Sequence, residues 1–220
     1  GGVVSSRLGG EAMGNSSKDV RLIDMNGNIV NRWNVAFSGY RCRLLSNGNL
    51  LHLAKDGYHA KDGDPDAQSI IEYDWEGNKV WQFQCPYEPH HDVRRLDDGN
   101  TLILCEDKVP VEIGAKALNI ESPWFGKLER AGSDFLEDVI MVVTPEKQVI
   151  WEWRASDHLD INRFSPVCPF VDWTHGNTIS VLPENKWFDG GDPRFKPGNI
   201  LYNPRNLDEI VLIDRDTKEI

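Results

Sequence analysis

A two-part hairpin pattern recurs along the 220-residue chain and limits the folds that it can adopt. Each copy has a run of alternating apolar and polar residues, then a polar turn, then a second run that leads to a tryptophan. The copies lie at 20–33, 69–83 and 138–153, and a fourth begins at 208–220. The first two turns contain Asn-Gly and Glu-Gly, which are typical of tight β-turns. The pattern therefore predicts repeated β-hairpins.

A second hairpin follows the first within each early copy. RCRLLSNGNLLHL at 41–53 matches VRRLDDGNTLILC at 93–105, and WTHGNTISVLPEN at 173–185 is a third copy. Two hairpins per period of about 40–50 residues give four strands per unit, which is typical of a propeller blade. We therefore predict an all-β fold, a β-propeller with four-stranded blades. The blade-like units are 19–57, 69–107, 138–185 and 198–220.

The third unit requires an insertion, since Asn100 and Asn177 are 77 residues apart whereas Asn49 and Asn100 are 51 apart. We place it at 108–135, where ESPWFGKLER fits a short helix or a lid-like loop. A β-sandwich is the alternative fold, but sandwiches seldom repeat at the sequence level.

The repeats amount to about three and a half blades, which is too few for the usual closed ring. A propeller needs its first and last blades to meet, since otherwise strand edges stay unpaired. We therefore expect residues 1–220 to form an incomplete propeller domain, with further blades from the same polypeptide or from a second chain.

Charge and hydropathy limit the partners of the chain. The formal net charge is −11, from 24 basic and 35 acidic residues, which disfavours nucleic acid or an anionic membrane as the main partner. No apolar run approaches the roughly 18–20 residues of a membrane span. The first ten residues lack the charged head and apolar core of a signal peptide, and the glycine start fits a mature or trimmed form.

Histidines recur at one position of the repeat. QCPYEPHHDVRRLDDGN at 84–100 aligns with VCPFVDWTHGNTISVLPEN at 167–185, and both have Cys-Pro-aromatic followed six or seven residues later by histidine. In a propeller, the loops at one mouth converge on the axis. We therefore expect His90 or His91 and His175 to point at a shared axial pocket.

An arginine in the fourth unit adds an anion-binding group. Arg205 lies at a strand end between two asparagines, and a guanidinium fork suits the oxygens of a sulfate, phosphate or carboxylate. Histidines act near pH 7 as general acids, bases or nucleophiles. The pattern predicts transfer of a charged oxyanion group, with Asp92 and Asp172 orienting imidazole rings. The candidate catalytic residues are His90, His91, His175 and Arg205.

Structural roles remain as alternatives for several of these side chains. His90 faces solvent if neighbouring strand residues point to opposite sides, and Arg205 fits an ordinary surface or ion-pair role. Satisfied structural histidines are expected at His52, His59 and His158. The tryptophans expected to pack blades are Trp33, Trp81 and Trp151.

The cysteines leave their pairing open. None of the four, Cys42, Cys85, Cys105 and Cys168, lies in a C-x-x-C motif, which disfavours a zinc ribbon or a redox site. Cys85 and Cys168 fit a buried pair, a disulfide or, with two histidines, a zinc or copper site. The proline after each suits a structural corner better, so we predict no metal and no cofactor.

The motifs together resemble the aryl-sulfate sulfotransferase family of β-propellers. The resemblance rests on VRLIDMNGNIVNRW, LLSNGNLL, IIEYDWEGNKVW, HHDVRRLDDGNTLIL, DWTHGNTISVLP and NPRNLDEIVLID. It implies a six-bladed propeller that moves a sulfuryl group from an aryl sulfate to a phenol through a histidine intermediate. The HHD histidines, His175 of WTHGN and Arg205 of NPRN match its pocket, and Asn177 matches its substrate-binding asparagine. Bacterial members are typically exported, which implies a periplasmic or extracellular location.

The nucleophilic histidine of the family is expected in a later blade, beyond residue 220. The sequence therefore carries the oxyanion-stabilising side of a transferase site. Two alternatives remain: a non-catalytic propeller that binds or assembles within a larger complex, and a metal-binding propeller whose histidines are ligands.

Overall fold

The chain divides into two compact units. Unit 1 consists of Gly1–Thr101 with Pro145–Lys147, and unit 2 consists of Leu102–Thr144 with Gln148–Ile220. The computed structural model describes residues 3–6, 19–36, 39–54, 66–122, 126–130, 134–164 and 172–220.

Unit 1 is built mostly from antiparallel strands, and seven of those described lie in two sheets. The strands are β1 (Val3–Ser6), β2 (Asp19–Ile23), β3 (Ile29–Asn34), β4 (Gly39–Leu44), β5 (Leu50–Ala54), β6 (Ser69–Tyr73), β7 (Lys79–Gln84) and β8 (Glu88–Arg95). One sheet has the order β1-β2-β3 and the other β4-β5-β6-β7. Strands β5 and β6 are buried along their whole length and form the middle of the larger sheet.

Unit 2 is also mostly antiparallel strand. Its strands are β9 (Thr101–Lys108, of which Thr101 lies in unit 1), β10 (Ile120–Ser122), β11 (Gly126–Leu128), β12 (Leu136–Val143), β13 (Val149–Arg154), β14 (Gly176–Val181), β15 (Ile200–Pro204) and β16 (Val211–Ile213). They lie in the orders β13-β12-β9, β10-β11 and β14-β15-β16. The helices are α1 (Val111–Gly114), α2 (Ala155–His158) and α3 (Lys186–Asp189), with 3₁₀ turns at Pro193–Phe195 and Arg205–Leu207.

The predicted hairpins are confirmed, and an aspartate closes the tight turn of the first. The carboxylate of Asp24 accepts hydrogen bonds from the backbone N–H groups of Asn26 and Asn28, both at 2.8 Å, and from the Asn28 amide at 2.9 Å. Gly27 has φ of +86°, a conformation that glycine adopts without steric cost. The second copy repeats these bonds between Asp74 and Asn78.

Tryptophans make the same contact in successive repeats. Trp81 donates its indole N–H to the carbonyl oxygen of Pro145 at 2.8 Å within unit 1. Trp151 does the same to Arg215 at 2.8 Å within unit 2. Asn31, at the corresponding position of the first repeat, donates to a backbone oxygen at 2.8 Å. A side chain on the second strand of one hairpin thus binds the turn of the next. The predicted role of the tryptophans in packing blades remains a prediction.

The hydrogen-bonded sheets do not have the same boundaries as the units assigned from the sequence repeats. The sheet β4-β5-β6-β7 combines the second hairpin of the first repeat with the first hairpin of the second. It therefore crosses from 19–57 into 69–107, because a repeat in sequence does not reveal where each structural unit starts. The all-β class is confirmed. No sheet closes on itself among the described residues, so the propeller remains a prediction.

The insertion contains strands where the sequence allowed a short helix or a loop. Within 121–130, the residues that the structure describes belong mainly to the antiparallel hairpin β10-β11, in which Ile120 pairs with Leu128. The one-turn helix of this region is α1, which starts just after Pro110. No helix among the described residues is long and apolar enough to cross a membrane.

Candidate functional site

The predicted site residues of unit 2 are held on a loop that leads into β14. This His175 loop, residues 172–176, is fixed at its start by a hydrogen bond from the N–H of Trp173 to the carbonyl of Leu136 at 2.9 Å. The buried Asn206 binds it from the other side. Its amide donates to the Asp172 carbonyl at 2.6 Å, and its N–H donates to Thr174 at 3.0 Å. The loop is therefore attached to two parts of unit 2.

His175 and Asp172 form a side-chain pair, as the sequence predicted. Nδ1 of His175 is in short hydrogen-bond contact with the Asp172 carboxylate, and both side chains are partly accessible, at 20% and 27%. A carboxylate can only accept, so Nδ1 carries the hydrogen and the neutral ring keeps its lone pair on Nε2. The pair therefore fixes the tautomer of the histidine.

A buried carboxylate holds the end of the His175 loop. Asp138 is 1% exposed, and its Oδ2 accepts from the N–H of Gly176 at 2.7 Å and from the hydroxyl of Tyr202. The backbone N–H of Asp138 donates to the Thr174 hydroxyl at 2.8 Å. Burial and the adjacent Asp138 charge raise the pKa of Tyr202 well above its usual value, so this hydroxyl stays a donor.

Arg205 and Asn177 lie beside the His175 loop. The N–H of Arg205 donates to the carbonyl of His175 at 3.3 Å, and its guanidinium Nε donates to the side chain of Asn206 at 3.0 Å. Asn177 is the extra residue of a β-bulge, since Gly176 pairs with Pro204 and Thr178 pairs with Asn203. Bulges re-aim side chains and are common next to active sites. Unit 2 thus brings together Asp172, His175, Asn177 and Arg205.

Glu106 joins this group, although no sequence motif indicated it. Ligand atoms of Glu106, Asp172 and His175 all lie within 4.8 Å of one another. Two carboxylates and one imidazole can hold a divalent cation. The cysteine–histidine site considered from the sequence is a different set of residues, and Cys168, like His59, lies outside the described residues. Cys42 and Cys85 are free thiols.

The HHD residues lie on β8 in unit 1. His90 is 1% exposed, so the alternative in which it faces solvent is wrong. The His90 and His91 rings lie edge to face, with centroids 5.2 Å apart. The Asp92 carboxylate binds guanidinium groups of Arg43 at 2.5 Å and Arg94 at 3.3 Å, contacts that the sequence did not predict. The structural role expected for His52 fits its complete burial in β5.

His91 and His175 share an uncommon backbone conformation. Their φ angles are +50° and +44°, in the left-handed region that few residues other than glycine adopt. This agreement supports the alignment of their repeats. Strained backbone of this kind clusters at functional sites. The axial pocket predicted for them would join both units and remains a prediction.

Sequence patterns did not identify several residues of these clusters. Asp138 and Tyr202 lie inside apolar strands, where nothing in the local pattern marks them as partners of the His175 loop. Arg41 and Arg43 carried a usable signal, because residues two apart on a strand lie on the same face.

Comparison with known proteins agrees with the motifs. The family model described as Arylsulfotransferase (ASST) matches residues 11–220. No curated protein matches the chain significantly. A crystal structure of a protein of unknown function from Bacteroides caccae is similar at 13% identity and a TM-score of 0.47, over 90% of this chain. The chain spans 51% of that structure. Since the family model covers nearly the whole sequence, the chain belongs to the arylsulfotransferase family.

Proposed function

We propose that this chain takes part in the transfer of a sulfuryl group from an aryl sulfate to a phenolic acceptor. The observation that carries the proposal is the His175–Asp172 pair, which is fixed on a clamped loop beside Arg205. Family membership makes sulfuryl transfer the reaction to test. Function in a periplasmic or extracellular location, and completion by further blades, are part of the same proposal.

The proposed chemistry has two balanced steps. In the first, a histidine nitrogen bonds to the sulfur of the donor as the sulfur–oxygen bond breaks, and the phenolate takes a proton from a second, protonated histidine and leaves as a phenol. In the second, the acceptor phenol loses a proton and its oxygen takes the sulfuryl group, which restores the histidine. By the family resemblance, the residue that bonds to sulfur is a histidine of a later blade.

The residues of unit 2 would stabilise charge in both steps. Negative charge grows on the leaving phenolate and the sulfuryl oxygens, and preorganised donors lower its free energy by about 3–4 kcal/mol each. Arg205 supplies a guanidinium fork, and Asn177 supplies an amide donor. Asp172 holds Nδ1 of His175, so Nε2 is the nitrogen available for proton transfer. When His175 is protonated, Nε2 donates a proton to the leaving phenolate, and when it is neutral, Nε2 accepts a proton from the acceptor phenol. His90 and His91 are the corresponding candidates in unit 1.

The test is a sulfuryl-transfer assay on the full-length protein with para-nitrophenyl sulfate as donor and a phenol as acceptor. His175→Ala and Arg205→Gln should each lower kcat/KM by about 10²-fold or more. His158→Ala is the matched control, because that ring stacks on Trp153 at 5.1 Å between centroids and should leave transfer nearly unchanged. Absence of transfer by the folded wild-type protein, or full activity of His175→Ala, would refute the proposal.

The Glu106–Asp172–His175 group supports a second candidate function, binding of a divalent cation. This candidate predicts stoichiometric zinc or manganese in protein dialysed against the metal, and loss of that metal in Glu106→Gln. Sulfuryl transfer predicts instead that Glu106→Gln retains activity in metal-free buffer. Measuring metal content and transfer on the same samples separates the two functions.

A further inference from the structure

A cluster of three arginines surrounds one buried carboxylate in unit 1. The side chain of Asp92 is 0% exposed. Its Oδ1 lies 2.5 Å from Nη2 of Arg43 and 3.6 Å from Nε of Arg41, and its Oδ2 lies 3.3 Å from Nη2 of Arg94. We call Arg41, Arg43 and Arg94 the arginine cluster. One guanidinium in bidentate contact is enough to pair with a carboxylate, so the cluster exceeds what Asp92 requires.

The cluster concentrates positive charge at one place in unit 1. Arginine stays protonated in proteins, so three cations lie around the Asp92 carboxylate. Burial lowers the pKa of Arg94 below its usual value, Asp92 opposes that effect, and the charges of Arg43 and Arg41 lower it further. The chain as a whole is acidic, with a formal net charge of −11, so a cluster of three arginines contrasts with its overall charge.

The guanidinium groups are held in place and remain accessible. Nε of Arg41 donates to the His91 carbonyl at 2.9 Å, and Nε of Arg43 donates to the Val93 carbonyl at 2.6 Å. The side chains of Arg41, Arg43 and Arg94 are 41%, 30% and 31% exposed. Among the described residues, Arg41 uses only its Nε, which leaves the two Nη groups as donors. A preorganised, half-open set of guanidiniums binds anions without a large ordering cost.

We propose that the arginine cluster is a binding site for a tetrahedral oxyanion, either inorganic sulfate or phosphate or the same group on a small molecule. The ligand would accept hydrogen bonds from the Nη groups of Arg41 and be attracted by the other two guanidinium groups. The proposal concerns unit 1 alone and does not depend on the sulfuryl-transfer reaction. It adds a ligand site to residues that the sequence motifs did not select.

The test is calorimetric titration of the full-length protein with sodium sulfate and sodium phosphate, at constant ionic strength set with sodium chloride. One saturable site is expected. Arg41→Gln and Arg94→Gln should each weaken binding at least tenfold. The matched control is Arg32→Gln, which removes an exposed arginine of β3 in the same unit and should change affinity less than twofold. Titration with para-nitrophenyl sulfate and with phenyl phosphate then shows whether the arginine cluster binds the inorganic anion or its aryl ester.

A second variant separates binding from a purely structural role. Asp92→Asn removes the negative charge and leaves three cations, so sulfate should raise its Tm more than it raises the Tm of the wild-type protein. A structural role for the cluster predicts equal shifts. If neither anion shows saturable binding at concentrations up to about 10 mM, the proposal is overturned. Equal affinity of Arg41→Gln, Arg94→Gln and wild type would overturn it as well.

Discussion

The hydroxyl group of Tyr202 donates a hydrogen bond to the carboxylate of Asp138, deep inside unit 2. The same carboxylate oxygen accepts the N–H of Gly176 at 2.7 Å. Two donors therefore bind one oxygen of a buried carboxylate, and one of them belongs to the loop that carries His175. Because an unsatisfied buried carboxylate is costly, the loop position and the protein's stability are linked through Tyr202.

We predict that Tyr202→Phe destabilises the protein by about 1.5–3 kcal/mol, the range for a hydrogen bond to a charged group. Tyr73→Phe is the matched control, since the Tyr73 hydroxyl is the acceptor of a neutral bond from the Ala36 N–H at 3.1 Å. That change should cost about 0.5–1.5 kcal/mol. Urea unfolding measures both. A smaller loss for Tyr202→Phe than for Tyr73→Phe would show that Asp138 does not depend on this donor.

Gly176→Ala should damage the His175 loop by steric contact. A Cβ atom there would lie 2.7 Å from Cε2 of Tyr202, 3.0 Å from Oδ2 of Asp138 and 3.2 Å from Cδ2 of Leu104. Overpacking of this kind costs about 1–3 kcal/mol. We expect a lower Tm and, if the proposed function is correct, slower sulfuryl transfer. An unchanged Tm would mean that the loop moves freely away from Asp138.

His91→Gly should stabilise the protein or leave its stability unchanged, while lowering any activity that uses the imidazole. A left-handed backbone costs a non-glycine residue about 1–2 kcal/mol, and His91 has φ of +50°. Gln68→Gly is the matched control, because exposed Gln68 has φ of +53°. Thermal unfolding of the two variants should shift in the same direction. Clear destabilisation by His91→Gly alone would show that packing of the ring outweighs the backbone strain.

The Cys42 thiol should resist alkylation in the folded protein. Burial raises its pKa from 9.0 to about 12, which lowers the thiolate fraction near pH 8 by about a thousandfold. Its sulfur also lies 3.3 Å from Nδ1 of His52. Because the unfolded chain ionises first, stability from this group is lost as pH rises from about 9 towards 12. Mass spectrometry after iodoacetamide treatment should find Cys42 labelled only when urea is present; rapid labelling of the native protein would contradict the burial.

The sequence predicted the local structure well, because hairpin turns depend on neighbouring residues. Asp24 and Asn28 close their turn through bonds that span four residues, and Gly27 supplies the left-handed step. Alignment of the repeats also placed His91 and His175 at equivalent positions, which their shared φ supports. The pairing of Asp172 with His175 could be expected from a separation of three residues.

Contacts between distant segments could not be predicted in the same way. The guanidinium of Arg43, on another strand, binds Asp92 at 2.5 Å, a contact that no local pattern indicated. His90 could have faced solvent by strand alternation but is 1% exposed. A strand pattern states which residues share a face; it does not state what covers that face.

The sequence by itself determined the hairpins, their repetition and the family, since these depend on turn chemistry and on the order of motifs. Only the tertiary structure decided which strands share a sheet and which charges meet. Asp138 illustrates the reason: its partners Gly176 and Tyr202 are 38 and 64 residues away. Burial makes such pairings obligatory, because a carboxylate removed from water must find donors wherever the fold brings them.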